Sequence, residues 1–293
     1  MKNVSSIIVG ITSKKQFSLA VREAQKLAKL FDAKIYPVHV IEPLSINSLY
    51  PGSGDETVQR VADEIQGEIH RLYPTSSESP IEPPIIAVGD TAKEISRIAH
   101  KVRPSLIVMG RHSEGDFYSF RRSHADRLVK YAQNPVWIHP DHAITNLPKR
   151  ILCPVDFTDN CLRAAQSAVS LAKMTQAQLD FIHVMPTPRN HSGFDGYISV
   201  HTELPQVNQD HYRRNAEIQF ESLLTKLDLG DLNVATHIEY GEISDSVNTF
   251  SQENNNDLIV IGASSHSTIE KIFLGSTVRY ILHDTKIDTL IIK

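Results

Sequence analysis

Two kinds of apolar pattern alternate along this chain. Short continuous runs rich in valine and isoleucine are typical of strands buried on both faces, as in a parallel sheet. Between these runs, apolar residues recur every three or four positions, which is typical of helices with one buried face. The alternation predicts βαβ units with right-handed crossovers, and therefore a doubly wound α/β fold.

The predicted strands form two sets of five. They cover residues 7–11, 35–40, 84–88, 106–110 and 136–139, and then 151–155, 179–184, 234–240, 258–262 and 290–292. Helical spacing is clearest around residues 19–28 and 164–172, and two further helices are predicted near 57–72 and 206–227. Each set of five predicts one five-stranded parallel sheet.

The two sets are copies of one domain. A shift of 144 positions aligns residues 7–40 with residues 151–184 without a gap and with nine identities, and a period of this length is too long for a solenoid repeat. We expect two tandem domains, residues 1–146 and 147–293. Their last strands would be sheet edges, and apolar edges favour pairing with another strand, so a homodimer is left open.

Composition and charge narrow the classes of partner. Of 293 residues, 41% are hydrophobic, which is enough to give each half its own core. The formal net charge of −4 provides no global basic field, so neither nucleic acid nor an anionic membrane is an expected partner. The first residues run directly into a predicted strand, and no apolar stretch approaches the ~20 residues of a transmembrane helix. A cytoplasmic location is expected.

Cysteine and histidine do not indicate a metal site. Cys153 and Cys161 match no metal-binding or redox spacing, so they are expected to be reduced structural thiols. His39 and His183 occupy equivalent places in the two copies and are also expected to be structural. Three further histidines are spaced ten residues apart and define no metal-binding face, namely His191, His201 and His211.

Candidate ligand contacts follow two strand ends of the second copy. In a doubly wound sheet, ligands bind beyond the carboxyl ends of the strands, where the strand order reverses. Asp156 follows the first strand of this copy and Gly262 ends the fourth. Small polar residues and then Gly275-Ser276 come next, so backbone N–H groups and hydroxyls could cradle a phosphate. Neither Walker A nor G-x-G-x-x-G is present. A plain strand-to-helix connection stays an alternative.

The segment from Gly262 to Ser276 resembles the nucleotide-binding signature of the universal stress protein family, Gly-x2-Gly-x9-Gly-Ser/Thr, with Ser265 in place of the second glycine. The strand before Asp156 and the Ile-His-Val of the next strand are also similar to that family. The resemblance covers essentially the whole chain, as a tandem protein of the UspE-like type. In that family the last strands join protomers, so the resemblance implies that the two halves of this chain pair with one another as an intrachain pseudo-dimer. It implies an adenine nucleotide alpha hydrolase-like, Rossmann-like fold and a stress-response protein rather than an enzyme.

The resemblance further implies that the second copy binds ATP or a related adenine nucleotide, with Mg²⁺ as its companion ion. Asp156 would face the ribose or adenine, and Val155 and Val184 would offer backbone contacts to the base. The implied nucleotide-binding residues are Pro154, Val155, Asp156, Val184, Ile261, Gly262, Ser265, Gly275, Ser276 and Thr277. No residue is identified as catalytic, although slow ATP hydrolysis is conceivable because it needs only an oriented water.

The first copy departs from the signature. Thr12 stands opposite Asp156, Ser113 opposite Ser265, Ser123 opposite Gly275 and His124 opposite Ser276, so this copy is not expected to bind ATP. Its loop is rich in arginine, which we interpret as a solvated helix face, with an anionic ligand or partner as the alternative. These arginines are Arg111, Arg121, Arg122 and Arg127.

Two other functions stay open at this point. A nucleotide-independent binding module would use the same crevice for another small ligand or a protein partner. A receiver-like domain would use Asp156 as a phosphoacceptor, but the sequence lacks an acidic pair at the end of the first strand, which disfavours this hypothesis.

Overall fold

A computed structural model of the chain describes residues 4–11, 14–42, 54–72, 80–102, 105–111, 124–140, 146–185, 206–263 and 276–293. Two residues of the expected nucleotide site, Ser265 and Gly275, lie outside the described residues, as do Thr12, Ser113 and Ser123 of the first copy.

Strands and helices alternate through both copies, as the apolar pattern predicts. The first copy contains β1 (Ser6–Ile11), α1 (Lys14–Phe31), β2 (Lys34–Ile41), α2 (Gly54–Leu72), β3 (Ile85–Val88), α3 (Thr91–Lys101), β4 (Ser105–Gly110), α4 (His124–Tyr131) and β5 (Val136–His139). The second contains β6 (Arg150–Pro154), α5 (Asp159–Thr175), β7 (Gln178–Met185), α6 (Gln206–Thr225), β8 (Val234–Tyr240), α7 (Ile243–Glu253), β9 (Leu258–Gly262), α8 (Ser276–Asp284) and β10 (Asp288–Ile292). Each predicted strand is present, with its ends within two residues of the prediction.

All ten strands belong to one sheet, in the order β3-β2-β1-β4-β5-β10-β9-β6-β7-β8. Within each copy the strands are parallel, whereas β5 and β10 pair antiparallel, with Trp137 opposite Leu290. This pairing confirms the expected intrachain pseudo-dimer. It also turns the two expected edge strands into the centre of the sheet, so its edges are β3 and β8, whose residues are partly exposed.

Two apolar layers cover the sheet, one on each face. On one face α1, α2, α5 and α6 bury residues such as Leu27, Ile69 and Leu171, together with the fully buried Trp137 of β5. On the other face α3, α4, α7 and α8 form a second layer that runs through both copies. Because each layer is continuous across the junction of the copies, burial of apolar surface holds the two copies together.

Polar contacts also cross the junction of the two copies. The Arg111 guanidinium donates hydrogen bonds to the carbonyl oxygens of His283 (3.3 Å) and Thr285, at the C-terminal end of α8. There the helix dipole favours a cation. His283 in turn lies with Nε2 3.0 Å from Oδ2 of the buried Asp126 in α4. Arg111 is therefore a structural residue rather than part of an exposed anion site.

An acidic pair is buried at the same junction, on the opposite face of the sheet. Glu23 of α1 and Asp288 of β10 are only 5% and 3% exposed, and their carboxyl groups are close enough to influence each other's protonation. The Lys26 ammonium group lies 2.7 Å from Glu23. Burial raises the pKa of Glu23, while burial and the neighbouring Glu23 raise the pKa of Asp288 well above its ordinary value. The pair therefore retains a proton more readily than free carboxyl groups do.

None of the helices in the described parts of the chain combines the length and apolarity needed to cross a bilayer.

Candidate functional site

The candidate site lies where the strand order of the second copy reverses. Strands β6 and β9 are neighbours in the sheet, and the crossovers that leave them run in opposite directions. Asp156 and Gly262 lie at the carboxyl ends of these two strands. The topology thus brings together two predicted site residues that are 106 positions apart in the chain.

The loop after β6 is fixed to β7 by two hydrogen bonds at Val155. The Val155 N–H donates to the carbonyl oxygen of Ile182, and His183 Nδ1 lies 2.8 Å from the carbonyl oxygen of Val155. Since a carbonyl oxygen only accepts, the histidine ring donates through Nδ1. His183 is therefore a satisfied structural histidine, as predicted, and it sets the position of the residue just before Asp156.

Phe157 gives this loop a sharp turn. Its φ of 61° lies in the left-handed region, which is unfavourable for a bulky side chain. The ring packs 4.7 Å from the His183 ring and 5.1 Å, edge to face, from the ring of Phe220 in α6. These contacts offset the backbone strain. Because Phe157 turns inward, the preceding Asp156 side chain is exposed at the lip of the crevice.

Asp156 is held by the start of α5. Its Oδ1 accepts hydrogen bonds from the Thr158 backbone N–H (3.1 Å) and from the Thr158 hydroxyl (2.7 Å). Thr158 is itself the N-cap of α5 and accepts from the Cys161 N–H. These bonds fix the carboxylate through Oδ1, and no hydrogen bond from the described residues reaches Oδ2, which can accept from a ligand hydroxyl or amine.

The two cysteines lie directly beneath this loop. Cys161 is buried in the first turn of α5, and the nearby backbone N–H groups of Asp156 and Phe157 lower the pKa of its thiol less than burial raises it. Burial raises the pKa values of both Cys161 and Cys153, and neither forms a disulfide. Both are thus buried thiols, as predicted, and Cys161 helps to support the loop that carries Asp156.

Gly262 is required by close packing rather than by its backbone angles. A Cβ atom at this position would lie 3.0 Å from the backbone oxygen of Asn160 and 3.7 Å from Cβ of Ala164. Gly262 is not among the glycines with positive φ. The absence of a side chain therefore lets the end of β9 approach the first turn of α5, which brings the two sides of the crevice together.

The other predicted residues that the structure describes lie near the ends of β6, β7 and β9 and at the start of α8. Val155, Val184 and Ile261 are almost fully buried, so they can offer only backbone atoms to a ligand. Pro154 ends β6 and is partly exposed. Helix α8 begins at Ser276 and continues with the partly exposed Thr277, as the Gly-Ser-Thr pattern predicts.

The chain turns sharply after the third strand of each copy. Gly89 and Gly241 have φ near 150° and donate their N–H groups to the second strand. The next residues, Asp90 and Glu242, accept hydrogen bonds from the first N–H groups of α3 and α7 and so cap these helices. The Gly-acid pairs are therefore strand-to-helix turns.

The comparison with protein families decides what kind of protein carries this crevice. The model of the universal stress protein family matches the chain twice, over residues 3–140 and 148–293. The chain belongs to the universal stress protein family. Universal stress proteins are generally stress-response proteins rather than enzymes.

Individual universal stress proteins resemble the chain at low identity. Universal stress protein G of Salmonella typhimurium is 23% identical over 150 residues, which are 50% of this chain and 99% of that protein. A putative universal stress protein of Staphylococcus aureus is 26% identical over 146 residues, 50% of this chain and 84% of that protein. The crystal structure of a universal stress protein from Archaeoglobus fulgidus has a TM-score of 0.66 and 20% identity, covering 98% of this chain and 96% of that chain. These likenesses support the adenine nucleotide alpha hydrolase-like fold in tandem.

In the first copy of this universal stress protein, described residues beyond the ends of the strands contact one another. Glu42, after β2, accepts a hydrogen bond from the Thr91 hydroxyl (2.9 Å) and lies 3.9 Å from Nδ1 of His124. Arg127 pairs with the helix cap Asp90. Sequence reasoning missed Glu42, because the contacts join residues that are 49 and 82 positions apart and share no spacing pattern.

Proposed function

We propose that the second domain, residues 147–293, binds ATP or a related adenine nucleotide in the crevice between Asp156 and Gly262. The exposed Asp156 carboxylate carries this proposal. It stands at the strand-order reversal, its loop is fixed through Val155, and one of its oxygens is available to a ligand. A rigid carboxylate at this place suits the hydroxyls of a ribose or the amine of adenine.

The other contacts are assigned from their positions around Asp156. The backbone of Val155, Val184 and Ile261 would line the base, because these side chains are almost fully buried, and the partly exposed Pro154 would lie beside them. The start of α8 at Ser276 and Thr277 would receive the phosphates, since the first N–H groups of a helix favour an anion. Gly262, with Ser265 and Gly275 of the signature, would complete the phosphate cradle. Mg²⁺ would accompany a bound triphosphate.

In this proposal the first domain, residues 1–146, does not bind ATP. Its sequence has Thr12 where the second copy has Asp156, and His124 where the second copy has Ser276. Glu42 lies beside His124 and would place a negative charge where the phosphates are expected. Repulsion between Glu42 and a triphosphate therefore opposes binding in this copy.

Matched variants test this proposal. Asp156→Ala removes the ligand-facing carboxylate, whereas Asp159→Ala removes an exposed acid in the first turn of α5, three residues away. ATP at a hundred times Kd should stabilise the wild type by about 2.7 kcal/mol. We expect the same thermal shift for Asp159→Ala and none for Asp156→Ala. Absence of a shift in the wild type at millimolar ATP would contradict the proposal and favour a nucleotide-independent binding module.

A further inference from the structure

One face of the ten-stranded sheet carries helices from both copies. Helices α3 and α4 of the first copy and α7 and α8 of the second pack into a single apolar layer through Ile95, Leu128, Val247 and Ile281. Their outward sides therefore form one broad surface that spans the whole chain.

The first-copy half of this surface is basic. A groove of about 340 Å³ between α3 and the end of α4 is lined by Lys93, Arg97, His100, Lys101, Tyr131 and Gln133. Arg97 pairs with Glu94 at 2.6 Å. Among the described residues, neither Lys93 nor Lys101 has a carboxylate partner, so both keep an uncompensated positive charge.

Two lysines converge on one aromatic ring beside this groove. The ammonium groups of Lys93 and Lys130 lie 5.7 and 5.8 Å from the centre of the Tyr131 ring. The Ser96 hydroxyl donates to the carbonyl oxygen of Tyr131 at 3.0 Å, which fixes the end of α4 against α3. The groove is thus an ordered structure with closely spaced like charges, which an acidic partner would neutralise.

The second-copy half has the opposite charge at matching positions. Under the shift of 152 residues, Lys93 corresponds to Asp245 and Lys101 to Glu253. Both acids are exposed on α7, which contains no lysine or arginine, and neither forms an ion pair with a described residue. On α8 the exposed Arg279 and Asp284 carry opposite charges, so the acidic character of this half comes from α7. One surface therefore presents a basic half at α3 and an acidic half at α7, related by the internal repeat.

We propose that this surface joins two copies of the chain face to face, with α3 of each copy on α7 of the other. A two-fold axis parallel to the strands places the first domain of one chain over the second domain of its partner. Every basic half then meets an acidic half, whereas a two-fold axis perpendicular to the strands would stack like charges. The strands β5 and β10 are already paired within the chain, so this face is a separate surface.

Exposed aromatic side chains also suit this surface for association. Tyr131 in the basic half is 38% exposed, and Tyr280 of α8 in the acidic half is 53% exposed. Tyrosine is enriched in protein interfaces because its ring buries a large area while its hydroxyl still finds a partner.

Charge reversal tests the proposal by sedimentation velocity. We expect the wild type to dimerise in 0.01 M salt, where charges act over about 30 Å, and to dissociate in 1 M salt, where they act over about 3 Å. The variant Lys93→Glu/Lys101→Glu makes both halves acidic, and Asp245→Lys/Glu253→Lys makes both basic. Each variant alone should dimerise about tenfold more weakly or worse. An equimolar mixture of the two should recover the dimer, because acidic then meets basic at both contacts.

The control variant is Arg214→Glu/Lys226→Glu, which reverses two charges on the opposite face of the sheet. It should dimerise like the wild type. All six positions are exposed, so circular dichroism should show an unchanged fold for each variant. A monomeric wild type in low salt, wild-type association of either charge-reversed variant, or no recovery in the mixture would each overturn the proposal. Binding of a hexaglutamate peptide by a monomeric wild type would instead assign the basic groove to an acidic peptide.

Discussion

His183 donates a hydrogen bond through Nδ1 to the carbonyl oxygen of Val155 over 2.8 Å, and His39 lies at the same distance from the carbonyl oxygen of Ile11. The two contacts are related by the 144-residue shift. Both copies therefore use a histidine of the second strand to fix the end of the first. The copies differ at the next position of the chain, which is Asp156 in the second copy and Thr12 in the first.

This relationship predicts different outcomes for two equivalent substitutions. His183→Phe keeps a ring against Phe157 but leaves the Val155 carbonyl without its donor, which should cost about 1–3 kcal/mol of unfolding free energy. His39→Phe should cost a similar amount. Only His183→Phe should also weaken ATP binding, as measured by titration calorimetry. Equal ATP affinity in His183→Phe and the wild type would show that the histidine does not position Asp156.

Close packing at Gly262 predicts a loss of stability on adding one methyl group. In Gly262→Ala the new Cβ would meet the Asn160 backbone oxygen at 3.0 Å, so β9 and α5 must separate, at a cost of about 1–3 kcal/mol. Gly67→Ala is the control, because a Cβ there meets nothing within 4 Å inside α2 and should stabilise by about 0.5–1 kcal/mol. Urea denaturation measures the change in the free energy of unfolding of both variants, and the two changes should have opposite signs. An unchanged free energy of unfolding in Gly262→Ala would contradict the packing account.

The departure from the family signature at Ser265 predicts that the affinity for ATP can be improved by substitution. The family signature has glycine at this position, and a non-glycine residue in a left-handed conformation costs about 1–2 kcal/mol. We therefore expect Ser265→Gly to bind ATP about tenfold more tightly than the wild type. Unchanged affinity in titration calorimetry would show that the loop does not need a positive φ at Ser265.

The buried pair Glu23 and Asp288 should stabilise the folded state by an amount that falls as the pH rises. Since burial raises the pKa of Asp288, the folded state binds a proton that the unfolded state releases above about pH 4. This stabilisation is complete below that pH and is lost as the pH rises through the elevated pKa of the folded state. Asp288→Asn removes the titration of Asp288, keeps the shape of the side chain and leaves only Glu23 with a raised pKa, so the stability of the variant should fall less between pH 4 and pH 8.

Urea denaturation across this pH range measures the difference between wild type and Asp288→Asn. Glu68→Gln is the control, because Glu68 pairs with Arg71 on the exposed side of α2 and should leave the pH dependence of the wild type unchanged. Parallel curves for Asp288→Asn and the wild type would mean that the pair does not hold a proton in the folded state.

Local patterns were enough to predict the strands and the repeat, whereas the pairing of the two domains was predicted from the resemblance to the family. Inner strands such as β1 and β9 are continuous apolar runs because both faces are buried, and this signal identifies them in sequence. Asp156 and Gly262 could be found because the reversal of strand order limits where a ligand binds.

Other features could not be read from the sequence, since they depend on contacts between distant segments. The left-handed Phe157 has no sequence signal, because a bulky residue there is stable only when packed against His183 and Phe220. Likewise, Glu23 and Asp288 come from different domains, and each alone resembles an ordinary surface acid.

The number of ATP sites per chain tests the central claim most directly. Titration calorimetry of the wild type with ATP and Mg²⁺ should give one site per chain, and Asp156→Ala should give none. Two sites would mean that the first domain also binds, despite Thr12 and the neighbouring Glu42. No binding by the wild type, or one site retained in Asp156→Ala, would contradict a nucleotide site built on Asp156 in residues 147–293.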